Sequence, residues 1–343
     1  MNNAVAGYVQ ERILKMLDEG VVPWQKPWVG NGPKNLISKK DYKGINTLLL
    51  GYSRMSNHFT SDFWMTFNQA RANGWQVKKG AKSTMVVFWK IGKYQTGKVL
   101  DNGKNEEKNS FLLRYYNVFN ADQVEGAVIP ELPTREHNPV EDAERILANY
   151  NGDKGLNITI VEGSNQACYS PILDVINLPA MKQFKSGEEY YSTAFHECVH
   201  STGHKNRLNR LGENDKEWGF GDSYSFEELV AESGACMLDA TVGIDTDKVY
   251  QNSAGYIKTW RDRIAEDKNL IIRAIGKAQK AVDYILGAGD KRRGLRERAS
   301  SVGVAGGRGA GGPPRRGGCG RGPVWGVASP APAPAPRRMA FGA

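Results

Sequence analysis

The segment His196-Glu197-Cys198-Val199-His200 constrains this chain more than any other feature. Residues four apart on an α-helix lie one turn apart on one face. His196 and His200 can therefore address one ion, provided the segment is helical. Two imidazole nitrogens so placed suit a tetrahedral zinc site, with bonds of about 2.0–2.1 Å. Glu197, beside the first histidine, is the carboxylate that such a site uses as a general base on the attacking water. Tyr190, Tyr191, Ala194, Phe195, Cys198 and Val199 give the expected helix (187–203) an apolar body that suits burial. Cys198 reads as a small buried apolar residue.

A catalytic site of this kind needs a third protein ligand and one open position. The next expected helix (225–242) offers Glu228 and Glu232, four residues apart and so on one face. One should ligate the ion and the other orient a ligand histidine. His204 is a weaker alternative ligand. The longer pattern H-E-x-x-H-x-x-G-x-x-H would place its third histidine at 206, where Asn206 stands. His204 also lies about 12 Å from His196 along a continued helix. A polar neighbour role suits it better.

The order of elements indicates an α+β chain. An amphipathic helix (2–19) ends at Gly20 and leads into Val21–Trp28, where two prolines present two tryptophans. A helix over 63–73 capped by Asp62, a strand over 83–91, a long loop (93–109) and a return strand over 111–119 follow. Prolines 130, 133 and 139 mark 129–139 as a linker between a block of residues 1–128 and a block of residues 140–287. The second block should contain a helix at 140–150, a strand at 156–162, an extended stretch Tyr169–Leu178 able to pair with substrate backbone, and helices at 187–203, 225–242, 247–266 and 269–286. Residues 288–343 are Gly-, Arg- and Pro-rich without apolar pattern. They read as disordered, and as a scar or out-of-frame extension rather than a nucleic-acid tail.

Charge divides along the same lines. Residues 1–140 hold 19 Lys/Arg against 12 Asp/Glu, residues 141–287 hold 16 against 23, and the tail holds 11 against 2. The front block is therefore basic on its own account. It also holds five of the eight tryptophans (24, 28, 64, 75 and 89). Single strands of nucleic acid are held by aromatic faces for the bases and cations for the phosphates. Trp64, Phe67 and Trp89 read as core. The contact candidates are Trp24, Lys26, Trp28, Lys39, Lys40, Tyr42, Lys43, Asn46, Lys78, Lys79 and Lys82. No apolar run reaches the ~20 residues of a membrane span. Glu11, Asp18 and Glu19 do not fit a secretory signal, and four scattered cysteines imply no disulfide framework. A reducing bacterial cytoplasm is the expected compartment.

Several segments in order resemble one family. Gly20–Trp28, Tyr42–Asn46, Trp64–Ala70, Gly74–Gly80, Val87–Trp89 and Tyr116–Asn120 are similar to the N-terminal domain of ArdC-like antirestriction proteins, a domain also found in plasmid primases. His196–Leu211 and Glu227–Glu232 resemble that family's zincin-like metallopeptidase domain. The acid-x-x-x-acid helix is similar to that of gluzincins, whose first acid binds the metal. The resemblance thus implies Glu228 as third ligand, with Glu232 beyond it or as alternative. It further implies single-stranded DNA as partner, a zinc or other divalent ion as cofactor, and carriage on a plasmid or phage. A role against host restriction follows, with a protein substrate or restriction component as a further partner.

Overall fold

The computed structural model describes residues 3–25, 32–99, 105–130, 138–154, 157–161, 163, 166–211, 223–245, 249, 254–287 and 325–326. The expected tail, apart from Trp325 and Gly326, lies outside them.

Helix α1 (Asn3–Asp18) presents Val5, Val9, Ile13, Met16 and Leu17 as a buried stripe, the 3.6-residue period read from the sequence. After strand β1 (Lys34–Asn35) comes a helix that the sequence pattern does not announce, α2 (Ile45–Ser56). Ile45, Leu48, Leu49 and Leu50 bury more than one of its faces, so its apolar residues form no single stripe. The expected helix at 63–73 divides. Phe63–Met65 form strand β2, all three side chains buried. Only Phe67–Ala72 form a helix, α3, started by a capping box between Thr66 and Gln69 rather than by Asp62. Pairing of β2 with a neighbouring strand overrides the helical propensity of the segment.

Strands β4 (Thr84–Val99) and β5 (Asn105–Asn120) form an antiparallel ribbon with registers such as Val86↔Tyr116 and Phe88↔Arg114. Much of the expected loop at 93–109 is thus strand. The sheet order is β1-β2-β5-β4, with β1 and β2 parallel. Two short strands, β3 (Gln76–Val77) and β6 (Val124–Glu125), pair antiparallel beside it.

The rear half opens with α4 (Pro139–Lys154) and β7 (Asn157–Val161). The expected extended stretch at 169–178 is a hairpin: β8 (Cys168–Ser170) turns through Pro171–Asp174 into β9 (Val175–Pro179). Asp174 takes a left-handed φ of 54° in that turn. Strand β7 runs parallel to β9, and a two-residue strand β10 (Trp325–Gly326) pairs with the outer edge of β8. Helices α5 (Gly187–Ser201), α6 (Ser223–Val242), α7 (Ala254–Glu266) and α8 (Leu270–Ile285) complete the described chain.

The two halves share one apolar core. Buried residues of α1 and α2, together with Trp24, belong to the same continuous cluster as Phe195, Leu229, Trp260 and Ile275. Trp24 meets Trp260 edge-on, centroids 5.9 Å apart, and Lys43 pairs with Asp283 of α8 at 2.7 Å.

Candidate metal centre

Helix α5 starts where its residues can satisfy its first N–H groups. Ser186 Oγ accepts from the Glu189 N–H at 3.1 Å, and Glu189 accepts in return from the Lys185 N–H at 2.8 Å. Its core-facing length, Tyr190 through Ser201, is buried almost throughout. Helix α6 lies close against it because Gly234 sits on Val199: a Cβ at 234 would come within 2.7 Å of the Val199 Cγ2. Ser192 donates to Asp239 across the same contact at 2.7 Å. This pairing brings Glu228 to the two histidines.

The donor atoms converge. His196 Nε2 and His200 Nε2 are 3.0 Å apart. Glu228 Oε2 lies 3.4 Å from His196 Nε2, and Glu228 Oε1 lies 3.4 Å from His200 Nε2. Tetrahedral bonds of 2.0–2.1 Å would set neighbouring donors about 3.3 Å apart. Among the described residues, His196, His200 and Glu228 form the one group of this kind, so the residues present fit a divalent cation with three protein ligands. Burial alone would raise the Glu228 carboxyl, but the two imidazoles hold it down at about 2. Glu197, on the same turn, is fully enclosed. Among the described residues its two oxygens meet no hydrogen-bond partner of ordinary geometry, though the Tyr169 backbone N–H helps to hold the charged form. Burial pushes its pKa upward, against the pull of His196 and His200.

The supporting shell differs from the sequence reading. Glu227, which that reading did not single out, stands 3.6 Å from His200 Nδ1. It is fixed by Arg210, whose guanidinium donates to both its oxygens at 2.6 and 3.2 Å. Burial would depress the His200 pKa, yet Glu227 and Glu228 together raise it to about 10. Glu232 is not among the converging donors. It accepts from Tyr256 of α7 and, at 3.3 Å, from the Trp24 indole N–H, while still feeling the charge of His196. His204 lies past the end of α5, 3.6 Å from Asp174, and outside the donor group. Arg207 joins that turn, donating to Asp174, to Tyr169 Oη at 3.0 Å and to the Ser201 carbonyl at 2.6 Å. The signal for this shell was the pair Arg207 and Arg210, three residues apart just beyond the histidines.

The proposed nucleic-acid contacts scatter. Trp24 is fully buried, and Tyr42 is buried with its hydroxyl accepting from Asn35 at 3.1 Å. Neither ring is a free stacking face, because each completes a core. Asn46 is a structural clamp, bonded through both side-chain atoms to the backbone of Val87 at 2.7 Å each way. Lys43 is engaged with Asp283, and Lys78 donates to the Asp122 carbonyl at 2.8 Å. Lys39, Lys40, Lys79 and Lys82 are exposed. Lys26 and Trp28 lie outside the described residues.

A helix-borne pair of histidines, a glutamate from the following helix and a buried acid beside them form a candidate metal centre of the zincin type, joined to a sheet-built front module. The sequence matches the family description N-terminal domain of anti-restriction factor ArdC over residues 3–119, and Zincin-like metallopeptidase over residues 142–277. The chain belongs to the ArdC antirestriction family. A zincin-like domain implies a divalent metal ion. Crystal structures of the antirestriction protein ArdC from plasmid R388 superpose with TM-scores of 0.64 (metal-free) and 0.65 (Mn(II)-bound) at 32 % identity. They cover 83 % and 87 % of this chain and 97 % and 99 % of those. The uncharacterized protein y4eC of Sinorhizobium fredii (strain NBRC 101917 / NGR234) is 31 % identical over 81 % of this chain and 90 % of its own length. The DNA primase TraC of Escherichia coli is 37 % identical over 81 % of this chain, but the match spans only 26 % of that protein. No described helix is long and apolar enough to cross a membrane.

Proposed function

We propose that this chain protects a plasmid or phage from host restriction by holding single-stranded DNA on its front module and hydrolysing a protein substrate at the rear one. His196, His200 and Glu228 would hold a divalent ion, zinc being the ion these ligand types suit best. Such an ion, when bound, supplies Lewis acidity to the substrate carbonyl. Glu197 takes a proton from the attacking water as the new carbon–oxygen bond forms. It then passes the proton to the leaving nitrogen as the carbon–nitrogen bond breaks. Glu227 holds the His200 ring in place through Nδ1. The observation that carries this reading is a three-donor group beside a buried carboxylate lacking a hydrogen-bond partner of ordinary geometry. A structural zinc site would be closed by a fourth protein ligand.

Glu197→Gln tests the reading. Peptide hydrolysis by the variant should vanish while its metal content, measured by elemental analysis, stays at parent level. Loss of the metal would contradict the assigned role. Transfer of unmodified plasmid DNA into a restricting host then separates two mechanisms: full protection by Glu197→Gln would mean that the chain acts by coating DNA alone. For the front module, the expected signature is affinity for single strands whose logarithm falls linearly with the logarithm of salt concentration.

A further inference from the structure

Neighbouring partners in the β4–β5 ribbon share a face. The register therefore places Val86 and Tyr116, Phe88 and Arg114, and Lys90 and Leu112 on one side. Val86 is buried, but beyond it the face opens. Phe88 is 43 % exposed and Tyr116 38 %, with their rings tilted 55° and 5.8 Å apart. Lys90 and Arg114 are exposed next to them and form no ion pair among the described residues. The face has no acidic side chain at the described positions 84–90 and 112–118. The opposite face also exposes aromatic rings, Trp89 at 42 % and Tyr115 at 51 %, but carries no cation at those positions.

We propose that single-stranded DNA lies on the Phe88–Tyr116 face of this ribbon, its bases stacked on the two rings and its phosphates on Lys90 and Arg114. The proposal rests on the single-strand reading above and gives it a surface. Base stacking on aromatic rings is tolerant of sequence, and the cations follow the backbone. The platform is rigid where it matters. Asn46 grips the backbone of Val87, between Val86 and Phe88, through two hydrogen bonds. The Tyr116 hydroxyl lies beside that of Tyr42, so the face leads toward the exposed Lys39–Lys40 turn that runs into Tyr42. Exposed aromatic rings at the solvent edge of a sheet, with exposed cations interleaved, match a polyanion with apolar bases better than they match a protein surface.

The test is fluorescence anisotropy of the full chain with a labelled oligothymidylate and with an abasic oligomer of the same length. Phe88→Ala/Tyr116→Ala should weaken oligothymidylate binding about tenfold or more and erase the parent's preference over the abasic strand. Arg114→Gln should lower the salt slope by about 0.7, the contribution of one phosphate on a single strand. Trp89→Ala/Tyr115→Ala, on the opposite face, should bind as the parent does. If the parent binds and Phe88→Ala/Tyr116→Ala binds equally well, the platform is wrong while the single-strand reading stands. A parent that binds no single strand would overturn both. All four rings are well exposed, and a melting curve for each variant checks that the fold is intact.

Discussion

Replacing Arg210 by methionine removes the cation that holds Glu227 behind His200. The two side chains are 5 % and 6 % exposed, so neither charge has water to fall back on. Arg210 also donates to Thr202 Oγ1 at 2.6 Å and to the Val199 carbonyl at 2.7 Å. Removing one partner of a buried pair costs about 3–5 kcal/mol, because the other charge is left uncompensated. Lys277 of α8 feels the charge of Glu227 and can take up part of it, which places the expectation near ~3 kcal/mol. The measurement is urea unfolding followed by far-ultraviolet circular dichroism, with the m-value checked for constancy. Arg210→Met/Glu227→Gln, which removes both charges, should recover a large part of the loss. Two outcomes would refute the reasoning: a loss below ~1 kcal/mol for Arg210→Met, the range of an exposed pair, or a double variant as unstable as the sum of the two single ones.

Trp24→Phe should reduce stability by about 1–3 kcal/mol, the cost of taking a donor from a buried acceptor, yet leave oligonucleotide affinity unchanged, since that ring is buried. A matching drop in anisotropy-measured affinity would restore Trp24 as a contact residue. Gly234→Ala should destabilise α5 against α6 despite the ~0.8–1 kcal/mol that alanine adds to a helix. Val199→Ala/Gly234→Ala should relieve part of the clash in the same urea titration, and no relief would mean that Val199 is not the obstacle. At Asp174, burial alone would raise the carboxyl, but Arg207 and Tyr169 hold it below the ordinary range. Its folded pKa lies below its unfolded one, so its contribution is complete above the unfolded pKa and is lost as the pH falls through the folded value. Asp174→Asn should lower stability on the neutral side and flatten the acid limb of the stability–pH profile, so that the variant and the parent converge at low pH; an unaltered acid limb would show that Arg207 gains nothing from Asp174.

The convergence of the candidate metal ligands was legible because helical periodicity is a local rule. His196, Glu197 and His200 needed only the fact of a helix to be placed relative to one another. The apolar residues around them announced that the helix is buried, and the downstream acid pair carried the third donor. Other parts were not legible. The helix expected at 63–73 gave way to strand β2 because Phe63–Met65 find a partner in β5 some 55 residues later, a contact that no local window contains. Tryptophan and lysine content marked the front half as basic and aromatic but could not say which rings face water.

Elements whose pattern is short in range could be read from the residues alone: the histidine helix, the α1 stripe, the basic-then-acidic division of the chain and the ordered motifs of the ArdC family. Tertiary structure alone decided which carboxylate meets which histidine. Glu227, Glu228 and Glu232 share one helix, and only the close approach of α6 to α5 at Gly234 turns Glu228 to both Nε2 atoms, Glu227 to Nδ1 of His200 and Glu232 away to Trp24 and Tyr256. Tertiary structure also decided that Trp24 is core while Phe88 and Tyr116 are surface. Burial depends on which distant segments cover a side chain, and that is a property of the packed chain rather than of any residue in it.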